Sequence, residues 1–150
     1  MLFRSRREDV DPNKFDIDGE TPLTYAVQSG HEGVVKALLA RDSVNPNKST
    51  RGDGTPLFEA AQNGHEGMVK MLLERGDISP DTQDRFGRTP LSGAARNGHE
   101  GVVKLLLARD DVNPDNPDNS GHTPLWYAFE EDHEGVEELL RSASTTSSAA

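Results

Sequence analysis

Cysteine is absent from the 150 residues, which excludes disulfides and thiolate metal sites and with them a secreted disulfide scaffold. Aromatic residues are scarce, with one Trp, two Tyr and five Phe, and the apolar share is 33%. That is thin for one thick central core but enough for a stack of layers that each bury a little. Positive charge is also short, with 16 Lys and Arg against 26 Asp and Glu. A net charge of −10 argues against nucleic acid as a partner, because backbone affinity comes from cations that neutralise phosphates. It argues equally against an anionic membrane surface. No apolar run approaches the ~20 residues of a membrane helix. Arg4, Arg6 and Arg7 are followed by no apolar stretch of the kind a signal peptide needs. The expectation is an intracellular protein, cytoplasmic in the first instance, with the nucleus left open.

What the chain does have is internal periodicity. Thr-Pro-Leu begins at Thr21, Thr55, Thr89 and Thr123, in steps of 34 residues. The same step carries Gly30-His31 to Gly64-His65 and Gly98-His99, and then to Asp132-His133. An apolar block keeps phase as well, from Val34-Val35-Lys36-Ala37-Leu38-Leu39 to its copies at Met68 and Val102.

Each block has a physical reading. Threonine is a helix N-cap, and proline suits the first helical position because its missing N–H has no partner there. Leu23, Ala26 and Val27 then share one side of a short helix. Gly30 turns the chain back into a second helix predicted over about 32–41, burying Val34, Val35, Leu38 and Leu39. Asn45-Pro46-Asn47 has turn chemistry. A period of 34 is also that of tetratricopeptide repeats, but their Trp-x2-Leu-Gly-x2-Tyr pattern is missing. At the Thr-Pro-Leu and Gly-His positions the chain resembles ankyrin repeats over 16–142, and it departs from Thr-Pro-Leu-His at Thr24, Phe58, Ser92 and Trp126. The Asp-Val-Asn-Pro ending and high internal identity resemble the ankyrin arrays of large fungal regulatory proteins. The resemblance implies an all-α solenoid of stacked helix–turn–helix pairs with projecting hairpin loops.

The register divides the chain into a remnant of a preceding repeat (1–15), repeats at 16–49, 50–83 and 84–117, a capping fourth repeat (118–142) and a flexible tail (143–150). In the remnant, the Leu-Leu positions fall on Arg4 and Ser5. In the fourth repeat, Glu137 and Arg141 replace the Val and Leu of the other copies, as an outer layer requires for solubility.

Chemistry finds little support. His31, His65, His99 and His133 recur in phase, but stacked helices lie roughly 8–10 Å apart, too far for neighbours to share a zinc ion. The calcium-like loops around Asp16 and Asp118 place Tyr25 and Tyr127 where a bidentate glutamate belongs. No catalytic residue, metal or cofactor is expected, and the chain is read as a monomer that binds another protein. Ankyrin resemblance implies binding through hairpin tips and the exposed side of the first helices. There the copies differ while the framework repeats, and the candidate residues are Arg51, Phe58, Arg85, Phe86, Arg88, Arg96, Trp126 and Tyr127. The basic middle of this set predicts an acidic or carboxylate-bearing partner segment, unless the arginines pair with Glu59, Asp53, Asp81 or Asp84. The alternative role is a spacer or sensor segment of a longer solenoid.

Overall fold

A computed structural model of the chain describes residues 10–52 and 54–148, with side chains described through Ser144. Arg4 and Ser5, with the register reading attached to them, lie outside the described residues. Among the described residues eight helices form four pairs: α1 (Pro22–Gln28) with α2 (Glu32–Leu39), α3 (Pro56–Gln62) with α4 (Glu66–Leu73), α5 (Pro90–Arg96) with α6 (Glu100–Leu107), and α7 (Pro124–Glu130) with α8 (Glu134–Ser148). The first helices pack in one row, α1 on α3 on α5 on α7, and the second helices pack in a parallel row behind them. Among the described residues there is no strand. The chain is a helical solenoid of repeated pairs.

The local causes are those the motifs announce. The hydroxyls of Thr21, Thr55, Thr89 and Thr123 each accept from the backbone N–H three residues on, with proline at the start of every first helix. In α1 and α5 the bond is returned: Thr24 and Ser92 accept from the N-cap N–H at 2.7 and 2.9 Å. These two side chains are buried, not on the outer face where helical phase alone puts them. Each first helix ends at a left-handed residue. His65 N–H reaches back to Ala60 O and His99 N–H to Ala94 O, which needs φ near +73° at Gly64 and Gly98. The following histidine then ties layers together, since His99 Nε2 lies 3.0 Å from Gln62 O and His133 Nε2 lies 3.0 Å from Arg96 O.

The core is a single stack of buried side chains running from Leu23 to Leu140. Ala60, Ala61, Ala94, Ala95 and Ala128 allow close approach along the first row. In the second row, Met68, Val102 and Val136 are buried against the layer before them. Val34, at the same register, is 51% exposed, and Leu38 is only half-buried. The expected burial of Val34 therefore fails for a positional reason: no described layer precedes it.

Two further ladders bind successive layers. Arg75 donates to Leu39 O and Val44 O at 2.9 and 3.0 Å while its other edge holds Asp77, so it caps the end of α2. Arg109 does the same for Leu73 O at 2.8 Å, held by Asp111. Asn13 and Asn47 bridge to the next linker, each accepting from one backbone N–H and donating to one carbonyl.

Helix α8 has 15 residues and runs to Ser148, so positions 143–148, read from sequence as tail, continue the helix. No Gly or Pro follows Arg141 to stop it. On the outer side of this last layer Glu137 and Arg141 form an i,i+4 ion pair at 2.8 Å. Replacing both, Glu137→Val with Arg141→Leu, is expected to leave an apolar strip that matches the uncovered Val34 end of a second copy. Head-to-tail, concentration-dependent association should follow. Sedimentation velocity reads this directly, and a double variant that sediments as the parent does at every concentration would deny Glu137 and Arg141 a capping role.

Candidate functional site

The loops entering repeats three and four each carry an aspartate that organises its own backbone. Asp84 Oδ1 accepts from Phe86 N–H and Arg88 N–H, both at 2.9 Å, and Asp118 Oδ1 accepts from Ser120 and His122 N–H at 2.8 and 2.9 Å. Neighbouring loops then join through Asn119, whose N–H donates to Phe86 O and whose side chain donates to Arg85 O. The loop tips of repeats three and four thus form one platform.

On this platform most of the sequence-predicted residues meet. Arg88 donates to Asp84 Oδ2 through Nε and Nη2, at 2.8 and 2.6 Å, and lies 5.4 Å over the Phe58 ring and 5.1 Å over that of Phe86. Arg85 stacks on the outer part of Phe86 at 5.8 Å. His122 lies flat on Trp126 with centroids 3.6 Å apart, and Tyr127 meets both rings edge-on. Tyr127 donates its hydroxyl to Asp118 Oδ2. Burial, followed by that bond, pushes the Tyr127 phenol up to about 12. Burial also works to raise Asp118, but the Tyr127 hydroxyl and the backbone N–H donors outweigh it and leave the carboxyl below its ordinary range. Arg96 sits at the margin, 6.0 Å over Tyr127 and 3.9 Å from Glu131.

Two predicted residues stand apart. Phe58 is only 4% exposed and serves as the floor beneath Arg88, so it is not part of the surface. Arg51 belongs to the preceding loop, where its stem fills the space beside Gly19. The exposed aromatic members are Phe86, at 56%, and Trp126, at 39%, and Arg51, Arg85 and Arg96 are exposed as well. Sequence reading placed Asp118 in a hairpin turn but foresaw neither its bond to Tyr127 nor the His122–Trp126 stack. The signal was present as Asp-x-x-Gly at Asp84 and Asp118, in phase with the repeat.

Between Phe86 and Tyr127 lies an open cavity of about 310 Å³, lined also by Arg88, Asp118, Asn119 and His122. A second, polar cavity of about 430 Å³ adjoins it across Arg96, between Gln62, Asn63, Asn97 and Glu131. Further along the same face, burial and then the charge of Glu20 raise the pKa of Glu59, against the lowering effect of Arg88. Among the described residues, no group of three or more His, Asp and Glu could hold a metal ion, and no helix is long and apolar enough to cross a membrane.

Stacked helix pairs with a continuous loop face define a helical-repeat recognition protein. The family model for ankyrin repeats (three copies) matches residues 2–84 and again 77–149, and the chain belongs to the ankyrin-repeat family, whose members are in general protein–protein interaction modules. Comparison with curated proteins finds no match.

Proposed function

We propose that this chain is a protein-recognition module that seats its partner on the loops and first helices of repeats three and four, without catalysis. The observation that carries this is a cavity edged by the exposed Phe86, with the exposed Trp126 stacked on its His122 wall, on a platform stiffened by the Asp84 and Asp118 loops. Exposed aromatics on a rigid support are the usual energetic anchors of interfaces. The partner is a protein rather than nucleic acid or a membrane surface, because a chain of net charge −10 repels polyanions. Arg88 contributes as a clamp, since its guanidinium is held by Asp84. The acidic-partner expectation therefore rests on Arg51, Arg85 and Arg96 alone.

A second reading has its own observation. Val34 and Leu38 form an uncovered apolar edge with the register of an inter-repeat contact, which suits a segment that continues a longer solenoid. Quantitative affinity capture from cell extract separates the two. Under the first reading, Phe86→Ala/Trp126→Ala loses the captured protein while the melting temperature stays within a degree or two, as for any exposed substitution. An unchanged capture profile for that variant, with losses on Val34→Glu instead, would move the contact to the first layer.

A further inference from the structure

The charges that line the Phe86–Tyr127 cavity are already spent. Arg88 is held by Asp84 through two bonds, and Asp118 takes the Tyr127 hydroxyl and two backbone N–H groups. A partner carboxylate placed there would have to compete with Asp84 for Arg88, and a partner cation would have to displace Tyr127 from Asp118. What the cavity offers a newcomer is ring surface, from Phe86, Tyr127 and His122. Just beyond it the situation reverses. Glu130 is exposed and makes no ion pair with any described residue. Glu130 lies one helical turn from Tyr127, roughly 5 Å along the axis.

Resting on the recognition face described above, we infer that the cavity takes one large apolar side chain of a partner segment that carries a lysine or arginine beside it, aimed at Glu130. The apolar side chain fills the space between Phe86 and Tyr127, and the cation meets the Glu130 carboxylate, which makes no ion pair with any described residue. An extended chain rises about 3.3 Å per residue, so the cation falls about two to four residues from the anchor. The apolar anchor supplies the affinity, and the acidic margin supplies orientation and on-rate. This reverses the charge preference expected from the arginines in the sequence, because at the cavity Arg88 is held by Asp84 and at its margin Arg96 faces Glu131.

Trp126 is the sole tryptophan and stacks on a wall of the cavity, so its fluorescence reports occupancy. The test is a random-peptide display library panned on the full chain, with Phe86→Ala as the counter-selected variant. Peptides that depend on Phe86 should carry a large apolar residue with Lys or Arg close by. Synthetic copies should shift Trp126 emission, bind at least about tenfold more weakly to Phe86→Ala, and about threefold more weakly to Glu130→Gln. Phe86-dependent peptides that are acidic would overturn this inference and leave the recognition face standing. A library that yields no Phe86-dependent peptide would remove both.

Discussion

Leu72→Ala is expected to cost about 2–5 kcal/mol of unfolding free energy, the largest single-residue effect in the chain. Leu72 is fully buried on α4, at the register that Leu106 and Leu140 occupy in later layers. It faces the α2 layer, so truncation removes contacts within its own repeat and across the joint to the one before. In a stack where each layer touches only its neighbours, a weakened central joint is not compensated from elsewhere. Leu38 is the internal control, because it has the same residue type and register but no described layer in front of it, and it is only half-buried. Leu38→Ala should therefore cost less than half as much, in proportion to the apolar area it hides. Urea unfolding followed by circular dichroism measures both. A Leu72→Ala cost below about 0.5 kcal/mol, the usual range for a surface substitution, would take that residue out of the core. Equal costs for the two variants would contradict the layer-by-layer account.

That contrast marks the boundary of what the sequence reveals. Periodicity carries everything that repeats. Thr-Pro-Leu, the glycine turn and the Val/Leu block each specify a local structure that needs no partner to be understood, and all eight helices form where they point. Position within the array is a different kind of information. Val34 and Met68 are equivalent in sequence, yet one is exposed and the other buried because only one has a layer before it. Phe58, Thr24 and Ser92 also escaped the reading. In a helix of seven residues the third position folds back toward the N-cap and the loop above, so a wheel projection misassigns its face. The candidate site was legible as a list and not as a charge pattern. Arg88 reads as a surface cation until the Asp84 loop closes on it, and that closure depends on a left-handed Gly87 that composition does not announce. The positive charge of Arg88 thus became internal bonding.

The same gap between a repeated position and its occupant gives the second large effect, at Asp81. Asn47 and Asn13 precede it by one and two repeats in the linker ladder. Asn47 accepts from Ser79 N–H at 2.8 Å and donates through Nδ2 to Asp77 O at 2.7 Å, and Asn13 makes the matching bonds to Asn45 N–H and Ser43 O. Asp81 Oδ2 keeps the first of these bonds, from Asn113 N–H at 2.8 Å. Its Oδ1 stands where the other two present an N–H donor, and there it is buried without a partner. A carboxylate has nothing to donate, so the second rung of the ladder is lost. Burial accordingly raises the Asp81 pKa, opposed by the Asn113 N–H and reinforced by the charge of Asp111, which is itself paired with Arg109. Asp81→Asn restores the donor and removes the repulsion, and should stabilise the protein by about 1–2 kcal/mol at neutral pH. The sign of the pH dependence follows from the raised pKa. The acid form is favoured in the folded state, so the deficit of the wild type relative to the asparagine variant is full above the folded pKa. It shrinks as pH falls through that value toward the ordinary carboxylate range, where a protonated Asp81 can donate from Oδ1. Taking the difference between the two proteins at each pH cancels the titration of Asp77 and Asp118, which carry no such coupling to Asp81. The reverse change, Asn47→Asp, should lower stability at neutral pH by a similar amount. Unfolding curves at several pH values from neutral to about 4 decide the matter: a gap that is absent at neutral pH, or that widens in acid, would mean that Asp81 is not a broken rung.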